Sequence, residues 1–476
     1  MPLDISLISD DTISDGGLTV FNPATGDEIA RVPDMELTDI DAIIVEADIA
    51  QRDWAVKPAK ARAAILKKWN ELILAHQEAL ADLITAECGK PIVEAKGEVT
   101  YGASFVEWFA EEAKRAYGDI IPHHAPGKRL MTIKQPVGVT AAITPWNFPL
   151  AMITRKVAPA LAAGCAMIVK PAEATPLTAL AIERLAHQAG VPKALYRTVT
   201  TTNPAAVGKL LCQNTLIRKL SFTGSTAVGK LLLAQSADTV KRVSMELGGN
   251  APFIVFDDAD VDAAVEGAIA SKYRNAGQTC VCANRFFVQD GVYDAFVAKL
   301  TKRVSKLRVG EGIDPSTEIG PLINTAGAEK VATLVSDAIA KGAKSEIGGK
   351  KSALGDCFFE PTVLSGVDPK MEIFHSEIFG PVAPVVRFKN EDEAIELANN
   401  TPYGLAAYFY AGDIARIWRV MEALEYGMVG INGGIISTEV APFGGIKESG
   451  IGREGARAGL DEYLEIKYAL IGGLSS

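Results

Sequence analysis

Cys280 stands in Asn275-Ala276-Gly277-Gln278-Thr279-Cys280-Val281-Cys282, a run rich in small residues that follows a helical pattern. A thiol placed there can present its sulfur and its own backbone N–H to one substrate atom, joining a nucleophile to half of an oxyanion hole. An arbitrary cysteine is more often an inert packing thiol, so its neighbours must decide. Upstream, Glu246 sits in Met245-Glu246-Leu247-Gly248-Gly249-Asn250. Apolar and glycine flanks strip water from a carboxylate and raise its pKa towards the range of a general base. Asn147, in Thr144-Pro145-Trp146-Asn147-Phe148-Pro149, can offer its side-chain amide to a developing oxyanion. A simple turn asparagine is the competing reading.

Two further segments suit a dinucleotide. Lys170-Pro171-Ala172-Glu173 follows the apolar run Ala166–Val169, and Phe222-Thr223-Gly224-Ser225-Thr226 opens a helical pattern. Gly224 and Ser225 would bring the backbone N–H groups of a helix N-terminus to a pyrophosphate. Glu173 could accept from the adenosine ribose hydroxyls and repel a 2′-phosphate, which favours NAD and leaves NADP as the alternative. No G-x-G-x-x-G is present.

These groups need elements to hold them. After a strand and turn around Phe21–Gly26, three amphipathic helices are predicted. The first is capped by Thr38 with Asp41 behind it, and the others span 57–87 and 92–116. From Gly138 short apolar runs alternate with helical segments: Val139–Ile143, Ala166–Val169, a helix over Leu177–Ala189, Lys219–Phe222, and a helix from Thr226. That alternation predicts βαβ units and a doubly wound parallel sheet, with the ligand at the carboxyl ends of its strands. A second α/β series starts at Phe253–Phe256, with helices over Asp260–Ser271 and Asn324–Lys341. Arg129–Gln135 and Tyr463–Ile471 fit neither series, and such isolated ribbons are expected to extend the sheet of a partner.

With 476 residues, 48% hydrophobic and 22% charged, the chain reads as a soluble multi-domain protein. Its formal charge of −10 argues against nucleic acid or an anionic membrane as the main partner. Six scattered cysteines and five histidines, without C-x-x-C or H-E-x-x-H, predict neither a disulfide framework nor a metal site. The N-terminus lacks the pattern of a signal or transit peptide, and no apolar run is long enough to span a bilayer. A cytoplasmic protein is expected.

Taken together, the segments resemble the aldehyde dehydrogenase superfamily over essentially the whole chain. The resemblance rests on Thr144–Pro149, Lys170–Glu173, Phe222–Ser225, Glu246–Gly249, Gly277–Cys280 and Glu377-Ile378-Phe379-Gly380-Pro381, in the family's order. It implies Cys280 as nucleophile, Glu246 as general base and Asn147 as oxyanion donor. It also implies Pro145, Trp146, Lys170, Glu173, Gly224, Ser225, Leu247, Glu377 and Phe379 as cofactor residues, with Glu377 and Phe379 at the nicotinamide ribose and ring. The implied fold is an NAD-binding domain over 1–120 and 138–246 and a catalytic domain over 247–445. A β-ribbon oligomerisation element over 121–137 and 460–476 and a connecting segment over 446–459 complete it, in a homodimer or homotetramer.

Within the superfamily the chain is most similar to the succinate-semialdehyde dehydrogenases, through Met152–Lys156, Lys272–Asn275 and Ile435–Gly445. Arg155, Arg274 and the Ser437 hydroxyl would suit a carboxylate at the far end of a short aldehyde. Either arginine in an ion pair is the competing reading. The implied activity is NAD(P)-dependent oxidation of succinic semialdehyde through a thiohemiacetal and a thioester, as in 4-aminobutyrate degradation. Glutarate semialdehyde or another short ω-oxo acid is the alternative. Cys282 belongs to the same subgroup pattern, as a redox partner able to pair with Cys280. A cysteine hydrolase with a histidine base leaves the nucleotide segments unexplained. A catalytically silent binding protein leaves Cys280, Glu246 and Asn147 unexplained.

Overall fold

Short apolar runs such as Val139–Ile143 and Ala166–Lys170 are buried on both faces, a burial that parallel sheets covered by helices provide. The computed structural model describes Leu7, Ile8 and residues 16–474. Most of the N-terminal stretch read above for a leader, and the last two residues of the expected arm, lie outside the described residues.

A hairpin of β1 (Leu18–Phe21) and β2 (Glu28–Val32) leads into four helices: α1 (Leu37–Val56), α2 (Ala59–Ala75), α3 (Gln77–Cys88) and α4 (Ile92–Glu112). Two details correct the sequence reading. Glu36 occupies the first cap without a side-chain bond, so Thr38 lies inside the first turn of α1. The pattern over 57–87 is two helices, because the backbone turns out of helical geometry at His76, whose Nδ1 meets the Leu72 carbonyl at 2.8 Å. Next come β3 (Ile120–Ile121) and β4 (Arg129–Pro136).

The first large sheet is built from β5 (Val139–Ile143), β6 (Ala166–Lys170), β7 (Tyr196–Thr198), β8 (Ile217–Thr223) and β9 (Arg242–Glu246). Helices α5 (Ala151–Ala163), α6 (Pro176–Ala189), α7 (Pro204–Gln213) and α8 (Thr226–Ser236) alternate with the strands. The spatial order is β9-β8-β5-β6-β7, all parallel. The chain runs outward from β5 to β7, then returns to the other side of β5. The switch point between β5 and β8 leaves a crevice at their carboxyl ends. Asn147 follows β5, Gly224 and Ser225 follow β8, and Glu246 ends β9, so three neighbouring strand ends carry four of the predicted site residues.

The second sheet contains β10 (Ala251–Val255), β11 (Ala283–Gln289), β12 (Lys344–Ile347), β13 (Thr362–Ser365) and β14 (Val382–Phe388). After the short β15 (Tyr403–Gly404) it adds β16 (Ala406–Tyr410) and β17 (Met428–Ile431). Its order is β12-β13-β14-β11-β10-β16-β17, parallel except for β12. Its helices include α9 (Val261–Lys272), capped by Asp260, then α10 (Tyr293–Val304) and α11 (Thr325–Ala340), capped by Asn324. Buried side chains form one large cluster around each sheet, and the change falls between Leu247 and Ala251.

Past β18 (Ile446–Lys447), which pairs with β15, the chain rejoins the first sheet. β19 (Gly450–Ile451) lies antiparallel on β9, and the helix Ala456–Asp461 packs on α4 and α5. Residues 446–459, read from the sequence as a connector, therefore carry structure of the first core. The two ribbon stretches pair with each other in one chain: β20 (Leu464–Ile471) runs antiparallel to β4 over its full length, with β3 beyond. Among the described residues no helix is long and apolar enough to cross a membrane.

The closest helix contact brings α4 onto α5 at Gly102. A Cβ there would meet Leu150 Cδ2 at 2.1 Å and the Ala151 backbone at 3.3 Å. Gly102→Val is expected to lower stability by about 1–3 kcal/mol through overpacking, read as a fall in the denaturant midpoint. An unchanged midpoint would mean that the two helices are free to separate.

Candidate active site

The crevice is a cleft of about 320 Å³, walled on one side by Trp146, Asn147, Gly224, Ser225, Glu246 and Leu247, and on the other by Gln278, Cys280, Glu377 and Phe379. Pro145 also lines it. A much smaller pocket of about 20 Å³ lies on the other side of Cys280, lined by Tyr101, Phe148, Arg155, Arg274, Ser437 and Phe443 among others. Cys280 and Met152 line both cavities.

The loop before Cys280 is strained. Asn275, Ala276 and Gly277 all have left-handed backbones, at φ 50°, 53° and 78°. For the two non-glycine residues this costs of order 1–3 kcal/mol each, so surrounding bonds must enforce it. The Asn275 N–H donates to Glu94 Oε2 at 2.8 Å, and its amide donates to the carbonyls of Asn147 at 3.0 Å and Gln278 at 3.2 Å. On the opposite side Gly249 lets the turn after Glu246 approach, since a Cβ there would come within 2.9 Å of the Cys280 carbonyl.

Asn147 is tied into this loop. Its Nδ2 donates to the Gln278 carbonyl at 2.9 Å, which leaves the second amide hydrogen for another acceptor. Its own carbonyl accepts from Lys90 Nζ at 2.8 Å, and Lys90 is ion-paired with the equally buried Glu98. Glu98 in turn accepts from the N–H groups of Leu150 and Ala151 at the start of α5.

Burial pushes the Cys280 thiol up to about 12; Arg155 pulls it down, while Glu377 and Glu246 add to the rise. Glu246 is 3% exposed, and neither carboxylate oxygen has a hydrogen-bond partner. Burial, then the nearby Glu454, hold its pKa well above the ordinary carboxylate value. A neutral thiol beside a carboxyl that binds protons readily is an arrangement suited to moving a proton between them.

Arg155 corrects the expectation of two guanidiniums free for substrate. It is fully buried and ion-paired through Nε with Glu454, which also takes Lys156 Nζ. A guanidinium taken out of water needs such a counter-charge. Its two terminal nitrogens have no hydrogen-bond partner, and the group lies 4.4 Å over the Phe443 ring. Arg274, by contrast, has no ion pair among the described residues, and its buried Nε is unpartnered. Its guanidinium sits 5.5 Å from the Phe148 ring.

Among the predicted cofactor residues, Trp146 and Phe379 meet edge to face at 5.6 Å, with Phe379 at φ 55°. Glu377 accepts from the Gly249 N–H at 3.2 Å, and burial lifts its pKa to about 7. Four residues behave differently from the sequence reading. The Gly224 N–H is already bonded to the Glu246 carbonyl at 3.0 Å, and Ser225 caps Val228, so the open donors at the start of α8 are the N–H groups of Thr226 and Ala227. Lys170 and Glu173 form an ion pair with each other beside the turn at Thr144 and do not line the cleft.

Cys282 is buried, with its sulfur 3.8 Å from the Lys272 carbonyl, and both Cys280 and Cys282 are free thiols. No group of three His, Cys, Asp or Glu among the described residues is placed to hold a metal. Sequence reasoning missed Tyr101, Lys90, Glu94, Glu98 and Glu454. The available signal was charge at 90, 94 and 98, spaced by four across the turn before α4 and the first turns of that helix, beside the buried Ala95 and Val99.

A family model described as the aldehyde dehydrogenase family matches residues 11–469. The chain belongs to the aldehyde dehydrogenase family. A succinate-semialdehyde dehydrogenase (NADP(+)) of Escherichia coli strain K12 is 58% identical over 96% of this chain and 94% of that protein. A glutarate-semialdehyde dehydrogenase of Pseudomonas aeruginosa is also 58% identical, over 97% of this chain and 96% of its own. The crystal structure of a succinate-semialdehyde dehydrogenase from Burkholderia pseudomallei superposes with a TM-score of 0.96 at 56% identity, covering 98% of this chain and 99% of that one. The aldehyde dehydrogenase fold thus accounts for both sheets and the ribbon.

In this aldehyde dehydrogenase the raised thiol pKa makes a kinetic demand. Without ligands, alkylation of Cys280 by iodoacetamide, followed by mass spectrometry of its peptide, should quicken about tenfold per pH unit from pH 7 to 10, tracking the thiolate. A plateau below pH 8 would show a thiolate already formed.

Proposed function

We propose that the chain oxidises succinic semialdehyde to succinate with NAD or NADP, as a cytoplasmic enzyme of 4-aminobutyrate degradation. The observation that carries this reading is the pocket behind Cys280, where the unpaired Arg274, the free terminal nitrogens of Arg155 and the Ser437 hydroxyl converge. Two or three such donors recognise a carboxylate. The pocket is small, about 20 Å³, which suits a short ω-oxo acid.

The cleft residues fit a dinucleotide. The open N–H groups at the start of α8 suit a pyrophosphate, Glu377 a ribose, and Pro145, Trp146, Leu247 and Phe379 an aromatic ring. Lys170 and Glu173 would meet the adenosine ribose. Because Lys170 offsets the Glu173 charge, the expected repulsion of a 2′-phosphate is weakened, and both cofactors are accommodated. In this reading the first core carries the cofactor and the second the thiol.

Glu246 takes the Cys280 thiol proton as the sulfur adds to the aldehyde carbon. Asn147 and the Cys280 N–H hold the oxygen, which becomes negative in the thiohemiacetal. When bound, the nicotinamide supplies the acceptor for the hydride that leaves this carbon. Glu246 releases that proton to solvent and then removes one from water, which attacks the thioester; the C–S bond breaks, the departing sulfur takes the proton back from Glu246 to restore the thiol, and succinate leaves. Cys282 stands by as an oxidation partner: peroxide would join it to Cys280, with the two thiol hydrogens leaving in water. The edge strand β20, with Ile466, Tyr468 and Leu470 exposed, would pair with another copy in a homodimer or homotetramer.

Initial rates test the reading. Cys280→Ala should abolish NAD(P)H formation, and Arg274→Ala should cut kcat/KM for succinic semialdehyde by about 10–100-fold, the worth of a charged hydrogen bond. Equal kcat/KM for propanal and succinic semialdehyde in the parent enzyme would overturn the carboxylate pocket, and a higher value for glutarate semialdehyde would select the longer substrate. Cys282→Ala should remove the thiol-reversible part of peroxide inactivation. Unchanged reversibility would leave Cys282 a packing residue.

A further inference from the structure

Tyr101 projects from α4 into the small pocket behind Cys280, and nothing in the motifs described above pointed to it. Its position is built. Gly102 lets α4 press against α5, the helix that bears Arg155, and the Tyr101 ring stands edge to face with Phe105 at 5.0 Å. The rest of the ring packs on Phe148, Ala151 and Met152. At the far end of this fixed ring, the hydroxyl is closed off from solvent and has no hydrogen-bond partner.

A phenol hydroxyl seldom stays unpaired when buried, because it has given up water without replacing it. The neighbours of this one are Arg155, Arg274 and Ser437. Arginines only donate, so they cannot receive the phenol proton, and the Ser437 hydroxyl, which could accept it, is not hydrogen-bonded to it. The group missing from the pocket is therefore an acceptor. A carboxylate supplies about four acceptor sites on two oxygens, which is the demand made here by the hydroxyls of Tyr101 and Ser437 and the unpaired nitrogens of the two arginines. Burial also pushes the phenol above its ordinary pKa, so that it keeps its proton at neutral pH.

Arg155 has its charge balanced by Glu454. The attraction for an anion thus falls on Arg274, and orientation falls on neutral donors. We propose that Tyr101 is a specificity-determining residue, donating its hydroxyl hydrogen to the terminal carboxylate so that the pocket selects aldehydes ending in an anion. This rests on the carboxylate reading of the pocket proposed above.

Tyr101→Phe keeps the ring and its packing and removes one hydrogen bond. With succinic semialdehyde the variant should show a KM raised by about 5–30-fold with kcat nearly unchanged, the range expected for a hydrogen bond to a charged group. Succinate, used as an inhibitor of propanal oxidation, should lose affinity by the same factor, while kcat/KM for propanal itself stays within twofold. A structural role would lower propanal turnover as well. A KM for succinic semialdehyde and an inhibition constant for succinate both within twofold of the parent would overturn the assignment, as would equal losses for the two aldehydes. Failure of the underlying reading is separate: there the parent enzyme itself would show neither inhibition by succinate nor preference for the charged aldehyde.

Discussion

The structure depends on one buried carboxylate. Glu454 is 5% exposed and receives both Arg155 and Lys156, each of which would otherwise be an uncompensated cation in the interior. Burial alone would raise its pKa, but the two cations outweigh that and hold it below the ordinary value. Lys156 passes the connection on to the Thr223 hydroxyl at 2.7 Å, at the end of β8, while Arg155 faces the substrate pocket. The Glu454 backbone exchanges hydrogen bonds with Phe443, whose ring lies under the Arg155 guanidinium. The carboxyl-terminal segment, the first sheet and the small pocket behind Cys280 are thus locked by one set of charges. The same negative charge helps to hold the Glu246 pKa above the ordinary carboxylate value.

A second buried set performs the same service for the cysteine loop. Glu94 and Glu98, one turn apart on α4, grip respectively the Asn275 N–H and the start of α5, and Lys90 bridges Glu98 to the Asn147 carbonyl. Left-handed residues at 275 and 276 persist because these bonds leave the loop no relaxed alternative. Asn147 and the loop that carries Cys280 are held in common by this network, so in the proposed mechanism the oxyanion donor and the nucleophile are placed relative to each other before any substrate arrives. Such preorganisation is the larger part of what a protein contributes to acyl chemistry.

Much of this was legible in the sequence, where local pattern and chemistry coincide. Continuous apolar runs marked β5, β6, β8 and β10, and glycine or proline punctuation marked the strand ends that carry Asn147, Gly224 and Glu246. Long-range pairing was not legible. Arg155 looked like a guanidinium wholly free for substrate, but Glu454, far along the chain, holds its Nε and leaves only the terminal nitrogens to the pocket. Gly224 looked like a phosphate donor until its N–H was found on the Glu246 carbonyl. The two ribbons looked unpartnered because their partners were each other, separated by most of the chain. Tyr101 lay in ordinary helical text, and Lys90 in the short turn between α3 and α4. Only the tertiary contact made through Gly102, and the burial of charge on one face of α4, gave them a site to belong to.

Cys280 and Met152 are the residues common to the two cavities. The unpaired donors suited to a carboxylate stand on one side of the sulfur, and the groups suited to a dinucleotide stand on the other. Two vocabularies of recognition therefore share a single word. Drift in either cavity alters one preference while leaving the other intact, so a scaffold of this kind can change its fuel without changing its currency of electrons.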